Sequence, residues 1–142
     1  MKKTILSLGL AALLSLSLSP AYAETSAPTI RVDEREIFFV DQQPVILEAE
    51  NRTMVPARGV FEAMGAKVEW EQETKKVTVT SYDNLTELEL IIDDATMVVY
   101  TYTSLMHADK TEITLDAVPQ LMNDRTMIPL RAISESLSAL VD

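Results

Sequence analysis

The sequence predicts an α+β fold in which an antiparallel β-sheet wraps against a single short helix in each of two tandem repeats. Three observations lead to it. The stretch at residues 51–70, NRTMVPARGVFEAMGAKVEW, returns at residues 124–142 as DRTMIPLRAISESLSALVD. Apolar residues at helical spacing follow the proline of each copy. Alternating segments typical of strands flank the helices. We therefore predict a first repeat at residues 24–84 and a second, incomplete at its C-terminus, at residues 85–142.

The N-terminus has the features of a secretory signal peptide. It has a positive start, an apolar core at residues 5–18 too short to span a bilayer, and an Ala-Tyr-Ala pattern ending at Ala23. We predict that residues 1–23 are removed, that no membrane span remains, and that the protein is secreted or lies at the cell surface. A buried helix or a membrane anchor is the alternative.

The chain is acidic and has no cysteine. It carries 12 basic and 22 acidic residues, a formal net charge of −10, and loss of the two signal-peptide lysines would make that −12. Such a chain is repelled by nucleic acid, so no nucleic-acid partner is expected. Without disulfides, stability must come from the core, from oligomerisation or from a neighbouring domain.

Three strands are predicted ahead of the first helix. They lie at residues 29–32, 36–40 and 44–47, and the last two are expected to form a hairpin through the polar turn at residues 41–43. Pro44 is expected at the start of its strand because proline cannot donate to a ladder.

The first helix is predicted to open at Pro56, where a missing N–H costs nothing, and to stop at Gly65 in a left-handed conformation. It is short, so it must be stabilised by burying its apolar stripe against the sheet. The stripe comprises Ala57, Val60, Phe61 and Met64. A second hairpin, residues 67–70 with residues 76–80, follows, and Trp70 is its largest apolar group.

The second repeat is predicted to contain strands at residues 86–92, 96–102 and 112–115, and a loop at residues 104–110 that holds His107. Its helix runs from Pro129 to about residue 140. The expected stripe comprises Leu130, Ile133 and Leu137.

No residue of the second repeat matches Trp70, because the chain stops one position before it. Three explanations are open. The chain could be a fragment, the first repeat could lend a strand edge to the second, or another chain could complete the sheet. The last would make a homo-oligomer through the unpaired C-terminal edge.

The arginines of the repeated motif are predicted to be structural. Each helical arginine has a glutamate four residues on, in the weaker of the two orientations, and should anchor the loop that leads into its helix. A ligand-binding role, for instance toward a wall carboxylate or phosphate, is the alternative. The residues concerned are Arg52, Arg58 and Glu62 in the first repeat and Arg125, Arg131 and Glu135 in the second.

No catalytic, cofactor or metal site is predicted. The chain has one histidine, no cysteine and no nucleophile motif. Its methionines are spaced as core residues rather than as a Cu(I) cluster. Its acidic pairs, such as Asp93-Asp94, lie on expected turns and outer faces and lack the calcium-loop pattern.

The motif residues resemble those of the copper amine oxidase N-terminal-like domain, also called the stalk domain, of exported Gram-positive bacterial proteins. The likeness is close over residues 51–79 and good over residues 115–137. It implies an antiparallel sheet wrapped on one helix and an exported or surface role, with no oxidase chemistry. The motif positions that carry it include Arg52, Pro56, Gly65, Trp70 and Pro129.

Taken with the resemblance, these features predict an exported, non-catalytic module for cell-surface or cell-wall attachment, spacing or protein contact. The expected partner is a cell-wall polymer or another envelope protein. The expected binding surface is the sheet face or edge away from the helix, with Tyr100, Tyr102 and His107. A metal-responsive (Ca²⁺ or copper) envelope protein and a secreted inhibitor-like effector are the alternatives.

Overall fold

The computed structural model of the protein describes residues 27–140, with side chains to residue 136. The predicted signal peptide lies outside the described residues. Within them, the protein has the predicted α+β class, and β-sheet dominates. The elements are β1 (Ile30–Val32), β2 (Arg35–Ile37), β3 (Val45–Leu47), β4 (Arg52–Pro56), α1 (Ala57–Ala63), β5 (Lys67–Glu71), β6 (Lys76–Thr80), β7 (Thr86–Ile91), β8 (Thr96–Ser104), β9 (His107–Thr114), β10 (Gln120–Met122), β11 (Arg125–Pro129) and α2 (Leu130–Leu140).

The two matching RTM-x-P segments pair with each other in the middle of a four-stranded antiparallel sheet, ordered β10-β11-β4-β3. Val55 lies opposite Ile128, and the residue before each of them pairs with the residue after the other. Met54 of β4 lies opposite Pro129 of β11, and Pro56 lies opposite Met127. Since each methionine faces the proline of the other segment, the two strands meet about a local two-fold axis.

Strands β5 to β9 form a five-stranded antiparallel meander. The predicted hairpin of β5 and β6 is confirmed, with Trp70 opposite Val77. Both large sheets take strands from either side of the predicted repeat boundary at residues 84 and 85. The two predicted repeats are therefore joined through shared sheets.

The predicted hairpin between residues 36–40 and 44–47 is wrong. Strand β2 pairs with β1 instead, because Asp33 and Glu34 adopt positive φ angles of 49° and 65° and make a tight two-residue turn. Strand β3 pairs with β4.

The predicted loop at residues 104–110 is also wrong in large part. Strand β8 extends to Ser104 and strand β9 begins at His107, so only Leu105 and Met106 form the turn. The hairpin carries a bulge between Tyr102 and Ser104. All side chains from Thr101 to Glu112 are exposed. This part of the sequence therefore lacks the apolar alternation by which a strand is predicted.

The two helices bury different faces. Helix α1 buries Ala57, Val60 and Phe61 as predicted, and ends before Gly65, which has a φ of +84°. In α2, Leu130 is 37% exposed, and the buried positions are Ala132, Ile133 and Ser136. The predicted stripe of α2 is therefore wrong at Leu130, and the side chain of Leu137 lies outside the described residues.

This difference follows from what covers each helix. Helix α1 packs against β2, β4, β5 and β11, whereas the main contacts of α2 are with β4 and β11. The principal core lies between the helices and the inner face of the five-stranded sheet, and it includes Phe61, Leu88, Leu90 and Met97. A smaller cluster on the other face of the four-stranded sheet is built on Met54 and Met127, which are both fully buried.

Candidate functional site

A polar contact joins the first motif to the loop ahead of β10. Arg52 Nε lies 2.6 Å from Asp116 Oδ2, and Arg131 Nη1 lies 3.3 Å from the same oxygen. Arg52 Nε is buried but makes no aligned hydrogen bond, so its contact with the carboxylate is an ion pair. The Asp116 side chain is only 23% exposed. One carboxylate thus lies between two arginines of different motif segments.

A corresponding contact joins the second motif to the loop ahead of β3. Arg125 forms an ion pair with Asp41, and Asn123 Nδ2 donates to Gln42 Oε1 at 2.7 Å. Asp41 and Asp116 each stand three residues before a buried proline, Pro44 and Pro119. Arg52 and Arg125, which hold equivalent motif positions, therefore each contact the aspartate loop of the other half.

Neither aspartate was predicted from the sequence. The signal was a second internal match, D-Q-Q-P against D-A-V-P. The offset between its two copies is two residues longer than the offset of the main repeat. The predicted anchoring role of the arginines stays a prediction. Arg58 makes the expected contact with Glu62, at 3.2 Å, whereas Arg131 contacts Asp116.

Two clefts are lined by equivalent motif positions. The tryptophan cleft, about 330 Å³, is closed on one side by Val68, Trp70 and Val77, and Trp70 Nε1 donates to Gln72 Oε1 at 3.0 Å. The serine cleft, about 300 Å³, has Ser134 on its wall. Their shared positions are Pro56, Ala57, Arg58, Asp124, Arg125 and Thr126 in the first, and Pro129, Leu130, Arg131, Asn51, Arg52 and Thr53 in the second.

The predicted binding residues fall on two faces of the β8–β9 hairpin. Tyr100 lies opposite Lys110 and Tyr102 opposite Ala108, on the outer face of the five-stranded sheet. His107 lies beside Asp109, with 3.3 Å between Nε2 and Oδ1. His107, Asp109 and Ile113 lie on the same face of β9, because they are separated by even numbers of residues. Ile113 packs toward the core, so this is the inner face. The structure brings the two tyrosines together and does not put His107 on their face.

An exposed apolar cluster lies at the end of this hairpin, and we call it the apolar tip. Leu105 and Met106 are almost fully exposed, Tyr82 is 88% exposed and Leu85 is 52% exposed. The turn that carries Tyr82 and Leu85 lies beside β8, because the N–H of Tyr102 donates to the carbonyl of Leu85 at 2.8 Å. This cluster was not predicted from the sequence, although the Leu-Met pair between two strand-forming segments was a signal.

Two lysines on the outer face of the five-stranded sheet are tied to glutamates. Lys76 contacts Glu89 at 3.0 Å, and this hydrogen bond raises the pKa of the lysine amine. Lys110 contacts Glu112 at 2.9 Å, and this hydrogen bond raises the pKa of Lys110. Two lysine–glutamate ion pairs therefore lie on this face.

The central methionines are core residues, and no cluster of His, Cys, Asp or Glu ligands lies in the part of the chain that the structure describes. Residues 27–136 contain no group of three His, Cys, Asp or Glu side chains placed to hold a metal ion. Met54 and Met127, the central methionines, are fully buried in the smaller core.

Comparison with known families found a match over most of the chain. Residues 31–142 match the family described as copper amine oxidase N-terminal domain. The chain belongs to this family. Searches for similar curated proteins and for similar solved structures found no match.

Membership in this family confirms the resemblance predicted from the motif residues. The family is the non-catalytic N-terminal domain of copper amine oxidases, which is compatible with a non-catalytic accessory role for this chain. Among residues 27–140, no helix combines the length and apolar character needed to cross a membrane.

Proposed function

We propose that the chain is an exported accessory module of the cell envelope that contacts another envelope protein through the apolar tip. The exposure of Leu105 and Met106 at the end of a projecting hairpin carries the proposal. Strand β8 continues past the first residue of β7, which lies opposite Thr101, so the tip extends beyond its neighbouring strand.

The chemistry of the tip favours a protein over a wall polymer. Four large exposed apolar side chains lie at the end of the hairpin or on the turn beside β8, and a groove of about 660 Å³ is lined in part by Leu85, Tyr102 and Leu105. Exposed apolar patches on soluble proteins mark contact sites, whereas a hydrophilic polymer offers little apolar surface. Asp83 and Glu87 at the groove favour a partner with basic residues around its apolar contact.

The organisation predicted from the sequence belongs to the same proposal. We propose that residues 1–23 direct export from a Gram-positive bacterium, and that residues 24–84 and 85–142 are two related units. N-terminal sequencing of the exported protein would locate the cleavage site.

The test compares two pairs of exposed apolar residues. Leu105→Ser/Met106→Ser alters the tip, and Phe38→Ser/Val40→Ser alters a site where the residues are 81% and 95% exposed. We expect the tip variant to lose envelope-protein binding about tenfold or more, as at a contact hot spot, and the control to bind normally.

Binding is measured separately on detergent-extracted envelope proteins and on purified cell wall. Normal binding by the tip variant, or loss only in the Phe38/Val40 variant, would overturn the assignment of the tip. Binding to bare wall that both variants retain would favour wall attachment through another face.

A further inference from the structure

Strand β9 is an open edge of the five-stranded sheet. In the described part of the chain it pairs only with β8, along eight residues. It contains no proline, and the bulge of the hairpin lies before it, between Tyr102 and Ser104. An exposed edge of this length is a template for another strand unless the sequence prevents pairing.

The hydrogen-bond pattern shows which backbone groups of β9 are free to pair. The N–H of Leu115 donates to the carbonyl of Ala95 at 2.6 Å, and the register places these residues directly opposite each other. Hydrogen-bonded and non-bonded pairs alternate along an antiparallel ladder. The residues whose backbone groups point outward from the edge are therefore Ala108, Lys110, Glu112 and Thr114.

The charges of β9 select among the ways in which two copies could pair. In an antiparallel pair about a two-fold axis, outward-pointing residues must lie opposite one another. Centring the axis on Lys110 or on Glu112 places that residue opposite its own copy, and like charges directly opposite are destabilising. Centring it on Thr111 places each Lys110 opposite Glu112 of the other copy.

We propose that β9 is a homodimer interface, in which two copies pair antiparallel about Thr111 and extend the sheet to ten strands. The pairing satisfies about eight backbone hydrogen bonds and makes an alternating square of two Lys110 and two Glu112 side chains. Lysine on an edge strand normally prevents edge pairing. Here the charges of Lys110 and Glu112 disfavour the two registers centred on those residues and permit this one.

This interface differs from the C-terminal edge that the sequence analysis named, and it has a geometric consequence. Each apolar tip lies about five residues from the axis, so the two tips would point in opposite directions roughly 35 Å apart. A dimer of this kind could hold one partner at each tip. The dimerisation proposal does not depend on what those partners are.

The experiment is a charge swap read by sedimentation equilibrium of the full chain, after processing by the expression host. Lys110→Glu and Glu112→Lys each set like charges opposite one another twice. We expect each to raise the dimer dissociation constant about tenfold or more. The double variant Lys110→Glu/Glu112→Lys restores opposite charges and should return the constant to within about threefold of the wild-type value.

A matched control lies on the other edge of the same sheet. Lys67 contacts Glu69 at 2.7 Å on β5, in the same spacing as Lys110 and Glu112. Lys67→Glu makes the same charge change and should leave the dimer intact. Ala108→Pro should abolish dimerisation without unfolding the monomer, since it removes only an outward-pointing N–H.

Four results would overturn the proposal. They are a wild-type protein that stays monomeric at all concentrations, a double variant that folds but does not recover, a normal dimer in folded Ala108→Pro, and a loss of association in Lys67→Glu. In the last case larger species in the wild type would indicate head-to-tail pairing of β9 with β5, which forms open filaments.

Discussion

The two aspartate–arginine contacts use the same residue types in different environments. Asp116 is 23% exposed and lies between Arg52 and Arg131, whereas Asp41 is 54% exposed and pairs with Arg125. Arg52 is likewise less exposed than Arg125, at 32% against 49%. One contact is thus sheltered and shared by two arginines, and the other is a surface pair. The motif places Arg52 and Arg125 at equivalent positions, and the surroundings decide how strongly each ion pair stabilises the fold.

The two helices likewise differ in the burial of equivalent motif positions. Phe61 of α1 and Ser134 of α2 hold equivalent motif positions, five residues after the proline. Phe61 is fully buried in the principal core, and Ser134 is exposed and donates to the carbonyl of Arg131 at 2.9 Å. The difference matches the coverage of the helices, because β5 packs on α1 and the main contacts of α2 are with β4 and β11.

The largest expected effect tests this difference between the helices. Phe61→Ala should lower the free energy of unfolding by about 3–5 kcal/mol, because it removes a large side chain from a close-packed site. Ser134→Ala should change it by no more than about 0.5 kcal/mol. Urea unfolding followed by circular dichroism measures both. Comparable losses in the two variants would show that α2 is covered as fully as α1.

The second prediction compares the aspartates. Asp116→Asn should destabilise the protein by about 1–2 kcal/mol, because it removes the charge that faces two arginines at a half-buried position. Asp41→Asn should cost less than about 1 kcal/mol, as for an exposed pair. The same unfolding measurement checks both. Equal costs would mean that burial does not distinguish the two contacts.

A double-mutant cycle sharpens that comparison. Arg52→Gln combined with Asp116→Asn should cost less than the sum of the single changes, because the two side chains interact directly. Arg125→Gln with Asp41→Asn should show a smaller coupling. If the losses in the free energy of unfolding from Arg52→Gln and Asp116→Asn are additive, Asp116 does not stabilise the protein through its pairing with Arg52.

The sequence predicted the elements that depend on local chemistry. Helix α1 follows from Pro56, a stripe at helical spacing and Gly65, and the hairpin of β5 and β6 follows from short-range alternation around a polar turn. These signals lie within a few residues of the element they specify. They required no knowledge of the distant partners in the sheets.

The failures were those that depend on partners distant in the chain. The choice of β1 rather than β3 as the partner of β2 rests on the positive φ angles of Asp33 and Glu34, which the residue types did not indicate. The buried face of α2 depends on which strands cover it. The contact of Arg52 with Asp116 joins residues on opposite sides of the predicted boundary, so no local pattern places them together.

The smallest expected effect concerns the turn that connects β6 to β7, where the two predicted repeats meet. Ser81 Oγ donates to Asp83 Oδ1 at 2.6 Å and accepts the N–H of Thr86 at 3.0 Å, and the N–H of Leu85 donates to the same carboxylate at 2.9 Å. The bond from Ser81, and then that from Leu85, lowers the pKa of Asp83. A lowered pKa in the folded state means that the charged carboxylate stabilises the fold.

That stabilisation has a defined pH window. It is complete above the ordinary value of 3.8 and is lost as the pH falls through the lower folded-state pKa. Asp83→Asn should therefore melt slightly below the wild type at pH 7 and converge with it in strong acid, where the wild-type carboxyl is also neutral. In a Ser81→Ala background the same change should have a smaller effect at pH 7. A difference in melting temperature that persists unchanged to the lowest pH would show that the shape of the turn, rather than the charge of Asp83, stabilises the fold.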